Sequence, residues 1–93
     1  MPPETKPNEL SVEIAASLRE VMARRKVTQV MLTEKVNISS RQLVRLLNAQ
    51  RRLGLEQFVE ICHALGVSAP AVLALAETVV RERHDRGKLP VTR

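Results

Sequence analysis

With 93 residues the chain has room for one domain around one modest core, which excludes a two-lobed enzyme with a cleft between its halves. Hydrophobic residues make up 44%, yet Phe58 is the only aromatic, so the core must come from Leu, Val, Ile, Ala and Met, a mixture that suits packed helices better than a sheet. The formal charge of +5 points to a polyanionic partner, either nucleic acid or an acidic membrane surface.

Residues 1–8 hold Pro2, Pro3 and Pro7 among polar neighbours and are expected to form a loose N-terminal arm. The opening Met1-Pro2-Pro3-Glu4 is no charged-then-apolar leader, and no run of about 18 apolar residues follows, so the expected location is the cytoplasm, with no membrane partner. Leu10, Ile14, Leu18, Val21 and Met22 have helical spacing and predict a first helix ending near Arg25, capped by Asn8 or Ser11. Arg24, Arg25 and Lys26 at its end either suit the negative pole of the helix or face a ligand.

Thr28 can cap a short second helix, Gln29 to Val36, with Asn37 supplying a left-handed turn. Ser39, followed three residues later by Gln42, has the spacing of a capping box and starts a third helix at Ser40. Leu43, Leu46 and Leu47 share one side of it, while Ser40, Arg41, Val44, Arg45 and Asn48 fall within roughly 140° on the other. A basic loop with Arg51 and Arg52 leads to Gly54. A fourth helix then carries Leu55, Phe58, Ile61, Cys62 and Leu65 and closes at Gly66. Ser68 caps a fifth with Pro70 in its first turn, running on toward His84 and stopped by Gly87 and Pro90. The domain is thus expected at 9–86, with a tail over 87–93.

Two short helices joined by a tight turn, the second with an exposed polar and basic face, make the pattern of a helix-turn-helix. No acid occurs between Lys35 and Glu56, an interval that contains Arg41, Arg45, Arg51 and Arg52, and phosphate attraction needs such an acid-free stretch.

From Leu18 to Leu75 the sequence resembles the lambda-repressor-like (Xre/Cro) helix-turn-helix family. Thr28-Gln29 opening the second helix, Ile38-Ser39 before the third, and Ala64-Leu65-Gly66-Val67-Ser68 carry the resemblance. It departs from the family at Thr33, where a smaller residue is usual, at Asn37 and Ala49, where glycine is usual, and at Leu47, a commonly polar position that either widens the core or faces a partner. The resemblance implies an all-α, five-helix DNA-binding domain whose third helix enters the major groove. By the same resemblance Ser40, Arg41 and Arg45 match positions that reach base edges, with Val44 beside them. Arg is shaped to grip guanine O6 and N7, and Val44 either covers a thymine methyl or is ordinary exposed surface. Gln29, Asn48, Arg51 and Arg52 match backbone-contacting positions, which fix register rather than sequence. Ser39 and Gln42 complete the candidate set, either as cap partners or as contacts at the edge of the same face.

Catalytic readings fail. Cys62 and His63 are adjacent, so on a helix their side chains diverge by about 100°, and no third group orients them. Cys62 has no partner cysteine for a disulfide, which fits a reducing compartment. His63 and His84 lack the clustered ligands of a zinc site, and no phosphate-binding glycine loop exists, so neither cofactor nor metal is expected. Nor does the sequence indicate a small-molecule effector.

The expected function is therefore an operator-binding transcriptional regulator, a repressor of phage or bacterial type. Proteins of this kind gain specificity by dimerising on half-sites about 34 Å apart. Val72, Leu75, Ala76, Val79, Val80 and Arg83 on the fifth helix form the candidate interface, unless that helix merely packs back on the first. Two alternatives stay open. One is the antitoxin of a toxin–antitoxin pair; the other is a helix-turn-helix scaffold that binds protein instead of bases.

Overall fold

The computed structural model describes residues 8–88, with side chains as far as residue 85. Of the expected arm only Asn8 falls within this range, and of the expected tail only Gly87 and Lys88; the remainder of both lies outside the described residues. Five helices follow one another, α1 (Glu9–Arg25), α2 (Gln29–Thr33), α3 (Ser40–Leu47), α4 (Leu55–Leu65) and α5 (Ala69–Lys88), and the described residues hold no strand.

Local chemistry starts four of the five helices where the sequence places a cap. The Asn8 side chain, rather than Ser11, accepts the Ser11 amide at 2.8 Å, and Thr28 accepts that of Met31 at 3.1 Å. Ser39 accepts from the Gln42 amide and Ser68 from the Ala71 amide, each at 3.2 Å. The expected capping box at α3 is only half made among the described residues. The reach-back that defines a box occurs at α4, where the Gln57 side chain accepts the Gly54 amide at 3.2 Å.

Three helices end in one way. The amides of Val27, Gln50 and Val67 reach back to the carbonyls of Met22, Arg45 and Cys62 at 2.9, 2.8 and 3.0 Å, the long bond of a Schellman turn. The left-handed residue in each is Lys26 (φ 59°), Ala49 (φ 57°) and Gly66 (φ 74°). Only one of the three is the glycine such a position favours.

Two expectations are corrected between α2 and α3. The second helix stops at Thr33 rather than Val36, and the chain continues in turns in which the Lys35 and Val36 amides still bond the Leu32 carbonyl. Asn37 does not adopt the left-handed conformation; its amide instead donates to the Glu60 carboxylate of α4. A tertiary partner has replaced the local turn. At the other end, α5 runs through His84 and Gly87 to Lys88, so Gly87 does not stop it.

The core is a single cluster. Leu18 of α1, Leu32 of α2, Leu43, Leu46 and Leu47 of α3, and Ile61 and Cys62 of α4 are all within 2% of complete burial, and Val72 and Ala76 of α5 close it. Leu47 therefore belongs to the core. Helix α1 packs against α5, α3 and α4, while α2 packs against α3 and α4. Burial pushes the Cys62 thiol up to about 11, so it stays neutral and behaves as a small hydrophobe.

Candidate nucleic-acid interface

Helix α3 has two unlike sides. Its three leucines are buried, whereas Ser40, Arg41, Val44 and Arg45 are exposed, as is Asn48, which ends the helix. Eight residues are too few for a helix to persist in water alone, so α3 depends on the packing of its leucines and on what holds its ends. Ser39 secures the start. The end is secured by Arg19, whose guanidinium Nη1 donates to the carbonyl of Leu47, the last helical residue, one of the carbonyls that a helix leaves without a partner. Arg25 does the same for α4, donating to the Leu65 carbonyl at 3.0 Å. Of the basic trio at the end of α1, Arg25 thus caps a neighbouring helix, and Lys26 is the C-cap of its own.

The remaining candidates lie around α3. Gln29, half-buried, opens α2, and Gln42 is half-buried at the edge of the exposed face. Ser39 is exposed, but its hydroxyl oxygen is already engaged by the Gln42 amide. Arg51, half-buried, and Arg52, exposed, occupy the loop between α3 and α4. Val30 and Met31 of α2, not singled out in the sequence, are exposed large hydrophobes, and Val30 lies beside Ser40 and Val44. Neither they nor Arg19 could be found from spacing, because their importance depends on how α1 and α2 lie against α3.

The candidate dimer surface needs correction. Ala76 is fully buried within the chain's own core and Val72 nearly so, which leaves them little surface to offer a second copy. Arg83 turns toward α1, where it bonds Glu9 at 3.2 Å and Glu13 at 3.1 Å, and His84 bonds Glu9 at 2.7 Å. Much of α5 thus packs back on α1. Leu75 remains 61% exposed, with Val79 and Val80 half-buried.

A short α2 lying against α3, which presents an exposed basic face in a stretch without acids, defines a DNA-binding protein of the helix-turn-helix class. A sequence profile described as helix-turn-helix matches residues 18–72, more than half of the chain. The chain belongs to this family, the Xre/lambda-repressor-like one. Among solved structures it is similar to the clp gene regulator ClgR from Corynebacterium glutamicum, with 28% identity and a TM-score of 0.73 over 90% of this chain and 88% of that one. Comparison with curated proteins finds no match. Among the described residues no single helix is long and apolar enough to cross a membrane, and no three His, Cys, Asp or Glu side chains are grouped to hold a metal.

Proposed function

We propose that the chain is a transcriptional repressor that occupies an operator in double-stranded DNA as a homodimer, in the cytoplasm and with the nucleoid. One DNA-binding domain, from α1 to the end of α5 at Lys88, does this work, preceded by an N-terminal arm. The observation that carries the reading is α3 itself, with three leucines inward, Ser40, Arg41, Val44 and Arg45 outward, and both ends tied. Arg41 and Arg45 take guanine O6 and N7, Ser40 assists at a base edge, and Val44 meets a thymine methyl. Gln29, Asn48, Arg51 and Arg52 contact the phosphate backbone, with Ser39 and Gln42 at the edge of the interface. The likeness to a protein named as a gene regulator favours regulation over DNA binding of another kind. For the dimer, the exposed Leu75 and the half-buried Val79 and Val80 are what α5 can offer a second copy.

Selection of duplexes from a random pool by the purified protein at about physiological salt, where non-specific binding is weak, tests this reading. An enriched inverted repeat is the expected result. No enrichment by a folded protein would transfer the function to a protein partner.

A further inference from the structure

Between α2 and α3 lies an open groove of about 330 Å³, lined by Gln29, Val30, Thr33 and Glu34 on one side and Ser40 and Val44 on the other. Val30 is 69% exposed and Val44 36%, so two apolar side chains from different helices stand on the surface that the proposed function gives to DNA. Thr33 spends its hydroxyl proton on the Gln29 carbonyl at 2.8 Å, leaving its methyl as the donor-free part of the side chain. Among the lining side chains only Glu34 is charged, and a carboxylate repels phosphate. The part of the groove beside Val30, Val44 and Glu34 therefore suits a base edge, apart from the phosphate contact proposed for Gln29.

We infer that this groove takes the C5-methyl group of a thymine, and that Val30 of α2 is a specificity-determining residue alongside Val44. The inference rests on the base-reading function proposed above and extends it to a residue outside the reading helix. In the major groove the thymine methyl is the one apolar group on a base-pair edge, and it stands clear of the ring. The site is continuous with Ser40 and Val44, already on the base-reading face, so the methyl reaches it without displacing the arginines. Burying one methyl between two valines strengthens binding by about fourfold, the transfer free energy of one such group.

The test replaces each thymine of the selected duplex, one at a time, by deoxyuridine, which removes only the methyl. The wild-type protein is expected to bind about fourfold more weakly when one particular thymine of a half-site is replaced, and the Val30→Ala protein to show less than about twofold difference at that position. The isosteric Val30→Thr should behave like Val30→Ala, and Val30→Ile should keep the discrimination. Arg52→Ala should lower affinity for both duplexes and leave their ratio unchanged, which separates weak binding from lost reading. Val30 is exposed, so its substitution leaves the fold intact, as thermal denaturation will verify. A ratio unaltered in Val30→Ala, or no thymine sensitive to replacement in a duplex that is otherwise selected, overturns this inference alone. Failure to select any duplex overturns the base-reading function and this inference with it.

Discussion

The Arg19 guanidinium on α1 donates to the carbonyl of Leu47 at the end of α3, so the face opposite the exposed arginines is fixed by a residue 28 positions earlier. Removing it leaves that carbonyl to water and lets the last turn of α3 fray. Arg19→Ala is expected to lower stability by about 1 kcal/mol, the scale of one hydrogen bond to a partly exposed group. It should weaken operator binding without changing which bases are preferred. Thermal denaturation and binding to single-base variants of the selected site check both outcomes.

The roles proposed for Arg41 and Arg52, a base contact and a phosphate contact, differ in what they cost when lost. Arg41→Ala should weaken specific binding by about 1–3 kcal/mol and relax one base position. Arg52→Ala should weaken all sequences alike and make the dependence on salt shallower by about one counterion. Titrations of cognate and random duplexes at several salt concentrations separate the two. Equal losses from both variants on both duplexes would count against direct readout.

Ala49 and Lys26 hold a backbone conformation that disfavours a Cβ by about 1–2 kcal/mol. Because glycine loses more chain entropy on folding, Ala49→Gly should stabilise the protein by only about 0.5–1 kcal/mol. The converse change, Gly66→Ala, should destabilise by about 1–2 kcal/mol, since its Cβ would also stand 3.2 Å from the Arg25 guanidinium that caps α4. Chemical denaturation of the two variants should therefore give shifts of opposite sign.

Hydrogen bonding from His84, aided by Arg83, holds the Glu9 carboxyl below its ordinary 4.5. A depressed carboxylate contributes stability above its unfolded value and loses it as pH falls through the folded one. The junction of α1 with α5 should therefore loosen only on acidification below about 4.5, while Arg83, raised by Glu13 and Glu9, stays charged. These groups are solvent-exposed and the effect is small. Amide exchange at the end of α5 is the suitable probe, and Glu9→Gln should remove the dependence.

Four of the five helices were readable because each begins with a side chain that has few other uses and continues with apolar residues at helical spacing, whereas α4 opens on Gly54. Asn8, Thr28, Ser39 and Ser68 all act as caps where the sequence places them. The turn after α2 was not readable, since Asn37 is held by Glu60 of α4 and no local rule foresees a partner 23 residues away. The extent of α5 is hidden from the sequence for a related reason. Gly87 breaks a helix on propensity alone, a weak prior that the rest of a long helix can override. On the candidate interface the outward face of α3 could be read from periodicity, whereas the burial of Val72 and Ala76 depends on where α5 crosses α1, which periodicity along one helix does not contain.

Both ends of α3 are tied from inside the protein, by Ser39 at the start and Arg19 at the finish, before any ligand arrives. Helix α3 is therefore ordered at the expense of folding and not of association. If α3 enters the groove as proposed, what DNA has left to immobilise on it is the rotamers of Arg41, Arg45 and their neighbours, about 0.5–1.5 kcal/mol for each long side chain, and not the backbone of the helix. Binding should accordingly lack the large negative heat-capacity change that accompanies coupled folding.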